Sequence, residues 1–241
     1  LKVKNLITLH EIKENPDLLA LVNASNDALE KLGYTEHGLR HVGFVSNTAA
    51  NILRELEYSP RLVELAAIAG WLHDTGNAIN RQHHGISGAA MLMPLLYNMK
   101  MPMEDITQII GAIGNHEEET GTPINEVAAA VIIADKVDAH RTRVRKGKYD
   151  ANDIHDRVNY SIKQNRLKVD KQHKIIRYEM TMDDSSSVMD FMQIYLSRMI
   201  LTEQSAVVLG CTFKIVVNNV IINTPKLVVD VNGNSKIVSQ E

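Results

Sequence analysis

The chain has 241 residues, 44% hydrophobic and 23% charged, with a formal net charge of -3. Such a composition supports one generous domain, or a domain with a small appendage, and gives no general attraction to nucleic acid or anionic membrane. A single cysteine, Cys211, excludes an internal disulfide framework, and no apolar run approaches the roughly 20 residues that span a bilayer. With no signal-peptide pattern over Leu1 to Leu9, the expectation is a cytoplasmic protein.

The first two-thirds read as helices. Asn15-Pro16 supplies a cap and a first-turn proline for a helix carrying Leu18, Leu21, Val22, Leu29 and Leu32, which Gly33 stops. Thr35 can cap the next, with Val42, Val45, Ala49, Ile52, Leu53 and Leu56 at helical spacing. Ser59-Pro60 opens a third, running through Leu65, Ala66 and Ala69 to Trp71. Further helices are expected over 87–97, 103–115, 125–139 and 151–165. The pattern changes near 166–173. Ile175 to Met180 read as a strand, Ser185 to Ser187 as the cap of a helix to about Thr202, and Val207 to Val217, Val220 to Ile222 and Leu227 to Val231 as β-branched strands. Asn218-Asn219 suits a tight hairpin turn. The expected fold is therefore mostly α, a helical bundle over 1–168 followed by a small α+β unit over 169–241. That tail is expected to self-associate, giving a homodimer, because one helix covers only one face of its sheet.

Ten histidines are present, and several share a peculiar setting. His73-Asp74 ends an apolar helix, His116 follows Ile109, Ile110 and Ile113, and Asp135 interrupts Val131, Ile132, Ile133 and Ala134. His37 and His41 share a helix face, and His83-His84 follow closely on the His-Asp pair. One histidine on an apolar helix is more often a satisfied core residue than a ligand. Several buried ionisable groups at helix ends need partners or a metal. Mixed imidazole and carboxylate donors suit iron and manganese first, with zinc, nickel, cobalt and magnesium as alternatives.

The ordered set His41, His73-Asp74, His84, His116 and Asp135 resembles the HD superfamily of metal-dependent phosphohydrolases over about residues 34–146. The wording is closest to the HD-GYP branch. His84-Gly85-Ile86-Ser87-Gly88-Ala89, His116-Glu117 with Gly121 and Pro123, and Ala134-Asp135-Lys136-Val137-Asp138-Ala139 each resemble its segments. The Gly-Tyr-Pro loop is absent, Asn115 replaces the first of two adjacent histidines, and Asn77 replaces a lysine. These departures speak against cyclic-di-GMP as substrate. The resemblance implies an HD-type bundle and one or two divalent ions. His41, His73, Asp74 and Asp135 would hold the first, and Asp74 would bridge to a second on His84 and His116. His37 is a further ligand candidate, or an orienting group.

Around that set, Asp74, Lys136 and Glu117 are the candidates for catalytic roles, Glu117 also as a group orienting His116. Lys136, Arg141 and Asn77 are candidates for binding a substrate phosphate, although cations after Asp135 also suit a solvated helix end. His10, His140, His155 and His173 receive structural or solvent readings. The expected function is hydrolysis of a phosphate ester or anhydride on a small molecule, a nucleotide first, by a metal-activated hydroxide. The alternatives are an HD-type di-iron oxygenase and a non-catalytic nucleotide-binding signalling protein.

Overall fold

The computed structural model describes residues 6–223, together with the backbone of 227–229 and 235–237. At the amino end, α1 (Leu9–Glu14) is closed by a reciprocal capping box between Thr8 and Glu11. Asn15 then caps α2 (Pro16–Lys31). Next come α3 (Leu39–Glu55), α4 (Pro60–Leu72), a 3-10 turn at Thr75–Ala78, α5 (His84–Asn98), α6 (Met103–Gly114) and α7 (Glu126–Lys136). Gly38, not Thr35, precedes α3.

The bundle is built around α7. Asn125 caps it through the amide of Ala128, and every residue from Val127 to Ala134 is buried. Helices α3, α4 and α6 surround it, and a later helix closes the remaining side. An all-round apolar helix of this kind belongs at a core centre. Its last turn delivers Asp135 into the interior. Helices α3 and α4 approach closely at Gly70, where an added Cβ would lie 2.9 Å from the Ser46 backbone.

The tail departs from expectation in three places. Helix α8 covers only Ile154–Ser161, and the chain turns at once into β1 (Ile162–Asp170). The boundary expected at 168 thus falls inside a strand, which pairs antiparallel with β2 (Ile175–Met182). Leu167 and Val169 alternate there with polar residues, a pattern that a half-solvated strand satisfies and a helix does not. Helix α9 (Val188–Val208) takes in Val207 and Val208, which were expected to open a strand, and β3 (Thr212–Val217) starts later. Parallel pairing of β2 with β3 makes α9 the crossover between them, so α9 must be long enough to return the chain. β4 (Val220–Ile221) completes the order β1-β2-β3-β4, and Asn218 and Asn219 take positive φ in the hairpin turn, as the sequence anticipated. Leu227–Val229 and Ser235–Ile237 form a separate two-stranded ribbon, while Asp230 and Val231 of the last expected strand lie outside the described residues.

α9 packs against both α7 and β3, and the hydrophobic core runs without a break from the bundle to Ile176, Tyr178, Phe191 and Phe213. Side chains of α9 therefore reach the centre of the bundle. Among the described residues no helix is long and apolar enough to cross a membrane.

Candidate metal centre

Five helix ends and one helix face converge below α9. His41 lies in the first turn of α3, His73 caps the end of α4, and Asp74 begins the 3-10 turn. His84 opens α5, His116 follows α6, and Asp135 lies in the last turn of α7. His41, His73, Asp74, His84 and His116 are all buried.

The donor atoms form two groups that share Asp74. Around its Oδ2, His41 Nε2 lies at 3.5 Å and His73 Nε2 at 3.4 Å. Asp135 Oδ1 is 3.3 Å from His41 Nε2 and 3.6 Å from His73 Nε2. Around Oδ1, His84 Nε2 lies at 3.2 Å and His116 Nε2 at 3.8 Å, and the two imidazole nitrogens are 2.9 Å apart. Ligands about 2.1 Å from one ion, at tetrahedral or octahedral angles, stand about 3.0–3.4 Å from one another. The triads His41–His73–Asp74, His73–His116–Asp135 and Asp74–His84–His116 each gather their donor atoms within 4.8 Å of one another, close to that spacing.

Each ring is turned the right way by its other nitrogen. Nδ1 of His73, His84 and His116 donates to the carbonyl three residues earlier, Gly70 at 2.9 Å, Arg81 at 3.0 Å and Ile113 at 2.7 Å. Nδ1 of His41 donates to Asp138 Oδ2 at 2.6 Å. With the proton on Nδ1, the lone pair of Nε2 faces inward. Lone pairs on two neighbouring imidazoles repel unless a cation lies between them. Asp74 Oδ2 is likewise buried with no hydrogen-bond donor. The donor set fits divalent metal, because its carboxylates favour positive charge among the rings, whether as a second proton on His73 or as a cation. Burial disfavours charge on His73, yet Asp74 and Asp135 override it and raise its pKa to about 10. His116 is driven down to about 4 by burial, despite Asp74.

His83 stands apart, exposed at φ 57°. The ring nitrogens of His37 enter neither group. Nδ1 donates to the Thr35 carbonyl at 2.7 Å, and Nε2 accepts from Arg143 at 2.9 Å.

The other candidates take places different from those expected. The Asn77 amide donates to the Asp74 carbonyl at 3.0 Å and to Oδ1 at 2.9 Å, so it fixes the shared carboxylate and does not offer itself to a substrate. Glu117 accepts from the Gly85 amide at 2.6 Å and lies 3.4 Å from Nδ1 of His84, so it braces His84 rather than His116 and points away from the donor cluster. Lys136 is buried against Asp135 Oδ2 at 2.6 Å and Glu118 at 3.1 Å. Burial opposes its charge, but those two carboxylates raise its pKa, so it is a fixed cation rather than a base. Arg141 turns away from the centre, donating to the Tyr160 carbonyl and lying over that ring. The 3-10 turn Arg141–Arg143 instead sends Arg143 inward, where it pairs with Asp138 at 3.1 Å.

A cleft of about 180 Å³ opens beside the centre, lined by His37, Arg81, Arg143, Tyr195 and Arg198, with Tyr34 and the exposed His155 further out. Tyr195 and Arg198 come from α9, so the tail forms one wall of the cleft. Sequence reasoning quoted Asp138 only as part of a matched segment and gave no individual role to it or to Arg143, Tyr195 and Arg198. Asp138 alone carried a usable signal, as a second acid one turn beyond Asp135 within an apolar segment.

Residues 38–140 match the model of the HD domain family, to which this part of the chain is similar. The superfamily so defined comprises metal-dependent phosphohydrolases. The chain is also similar to an uncharacterized protein of Methanocaldococcus jannaschii, 24% identical over 211 residues that cover 76% of this chain and 79% of the relative.

Proposed function

We propose that this chain is a metal-dependent hydrolase of a phosphate ester or anhydride on a small molecule, with nucleotides the first class to test and iron or manganese the first metals. The observation that carries the reading is the pair of donor groups joined through Asp74. His41, His73, Asp74 and Asp135 would hold one ion and His84, His116 and Asp74 a second. Two such ions supply a hydroxide at neutral pH and a clamp for phosphoryl oxygens. The protein's own contribution is orientation and charge. Asp138 and the three backbone carbonyls hold the imidazoles, Asn77 holds Asp74, and Lys136 offsets the negative charge of Asp135. The adjoining cleft carries Arg81, Arg143 and Arg198, a cationic lining suited to an anionic substrate.

Metal analysis of the full chain, followed by phosphomonoester, phosphodiester and nucleoside-triphosphate substrates with oxygen uptake followed in parallel, tests this. Metal-dependent phosphate release is the expected result. Metal-loaded protein that consumes oxygen with an organic substrate and releases no phosphate would move the assignment to an HD-type oxygenase.

A further inference from the structure

The cations around the centre and its cleft are not equivalent. Lys136 is held by Asp135 and Glu118, Arg143 by Asp138, and Arg198 by Glu118 at 2.9 Å. Arg81 has no carboxylate partner among the described residues. Its Nη1 makes only two long contacts, 3.4 Å to Asn77 Oδ1 and 3.4 Å to His84 Nε2, and its guanidinium lies 5.5 Å from the Tyr34 ring. It is half-buried where the central cavity meets the cleft and lines both.

The contact with His84 decides its role. The Arg81 carbonyl takes the Nδ1 proton of His84, while its side chain donates to Nε2 of the same ring. Nε2 is also the donor atom that faces Asp74 and His116. Once that lone pair serves as a metal ligand it can no longer accept from Arg81. The guanidinium is then left with one weak neutral acceptor, in a half-buried position where an unpaired charge is costly. An anion at the centre restores the pairing, and a planar fork matches two oxygens of a phosphoryl group.

We infer that Arg81 binds the phosphoryl oxygens of the substrate at the His84–His116 side of the centre, and that it becomes available to do so when His84 is engaged as a ligand. This rests on the phosphohydrolase reading above.

Calorimetric titration of orthophosphate into the metal-loaded full chain tests it, with metal content measured in parallel. Two variants serve: Arg81→Ala, and Arg81→Met, which keeps an aliphatic stem over Tyr34. The expected result is phosphate affinity weakened about 10- to 100-fold in each, as for loss of a charge-assisted hydrogen bond, at unchanged metal content. Wild-type phosphate affinity in either folded variant would overturn the role of Arg81 and leave the hydrolase reading standing. A metal-loaded wild type that binds no phosphate would overturn both. Variants that lose their metal would overturn the proposal too, because Arg81 would then act only as a support for His84.

Discussion

His41 and Asp138 are joined by a 2.6 Å hydrogen bond between two fully buried side chains, three residues beyond the carboxylate that faces the opposite nitrogen of the same ring. Asp138 also receives both terminal nitrogens of Arg40, at 3.0 and 2.7 Å, and Nη1 of Arg143. Burial opposes ionisation of Asp138, but His41, Arg143 and Arg40 together hold its carboxyl far below the usual range. Asp138→Ala should therefore act twice. Metal affinity should fall about 10- to 100-fold, as when an orienting partner is removed. Stability should fall by about 3–5 kcal/mol, as when a buried ion pair loses one member. Chelator competition and chemical denaturation measure the two effects. An unchanged metal affinity would show that His41 needs no such support.

Asp74→Ala should abolish metal binding at both groups, whereas His84→Ala should leave the group around His41, His73 and Asp135 able to load. Metal-to-protein ratios after dialysis distinguish them. Equal ratios in the two variants would mean that Asp74 is not shared.

Gly76→Ala should be strongly disruptive. An added Cβ would lie 1.9 Å from the His84 carbonyl oxygen and 2.6 Å from the Gly88 amide, both backbone atoms. The start of α5 must retreat, taking His84 with it, at a cost of at least about 1–3 kcal/mol. A variant with wild-type melting behaviour and full metal loading would refute the close crossing of these segments.

Glu118 should mark acid sensitivity. Burial raises its pKa, but Lys136 and Arg198 outweigh this and lower it from the ordinary 4.5 to about 2. A depressed folded-state pKa contributes stability above the unfolded value and loses it as pH falls through the folded one. The wild type should exceed Glu118→Gln in stability near neutral pH, and the gap should shrink progressively below 4.5 towards about 2. A gap independent of pH would show that charge is not its source.

Much of the centre was legible because ionisable groups at the ends of apolar helices are conspicuous. His73-Asp74 after Leu72, His116 after Ile113 and Asp135 after Ala134 each break a hydrophobic run. Charged residues among other charged residues give no such contrast. Arg141 and Arg143 differ only in which way one 3-10 turn points them, and Arg198 looks like any polar position of a surface helix. Asn77 and Lys136 lie beside the centre, but their partners were invisible until the fold brought Asp74 and Glu118 to them. β1 escaped for a different reason. Its polar face hides the alternation, and only pairing with β2 makes it a strand.

The imidazoles of His73, His84 and His116 are anchored to main-chain carbonyls, not to side chains that could rotate away. Little conformational freedom remains to be lost when the donors are used, so affinity should come cheaply and for several ions alike. A cradle of that kind discriminates poorly by shape. Which ion it carries would be settled by supply in its surroundings and by rates of exchange, so protein prepared from different hosts or media should differ in metal while sharing one backbone.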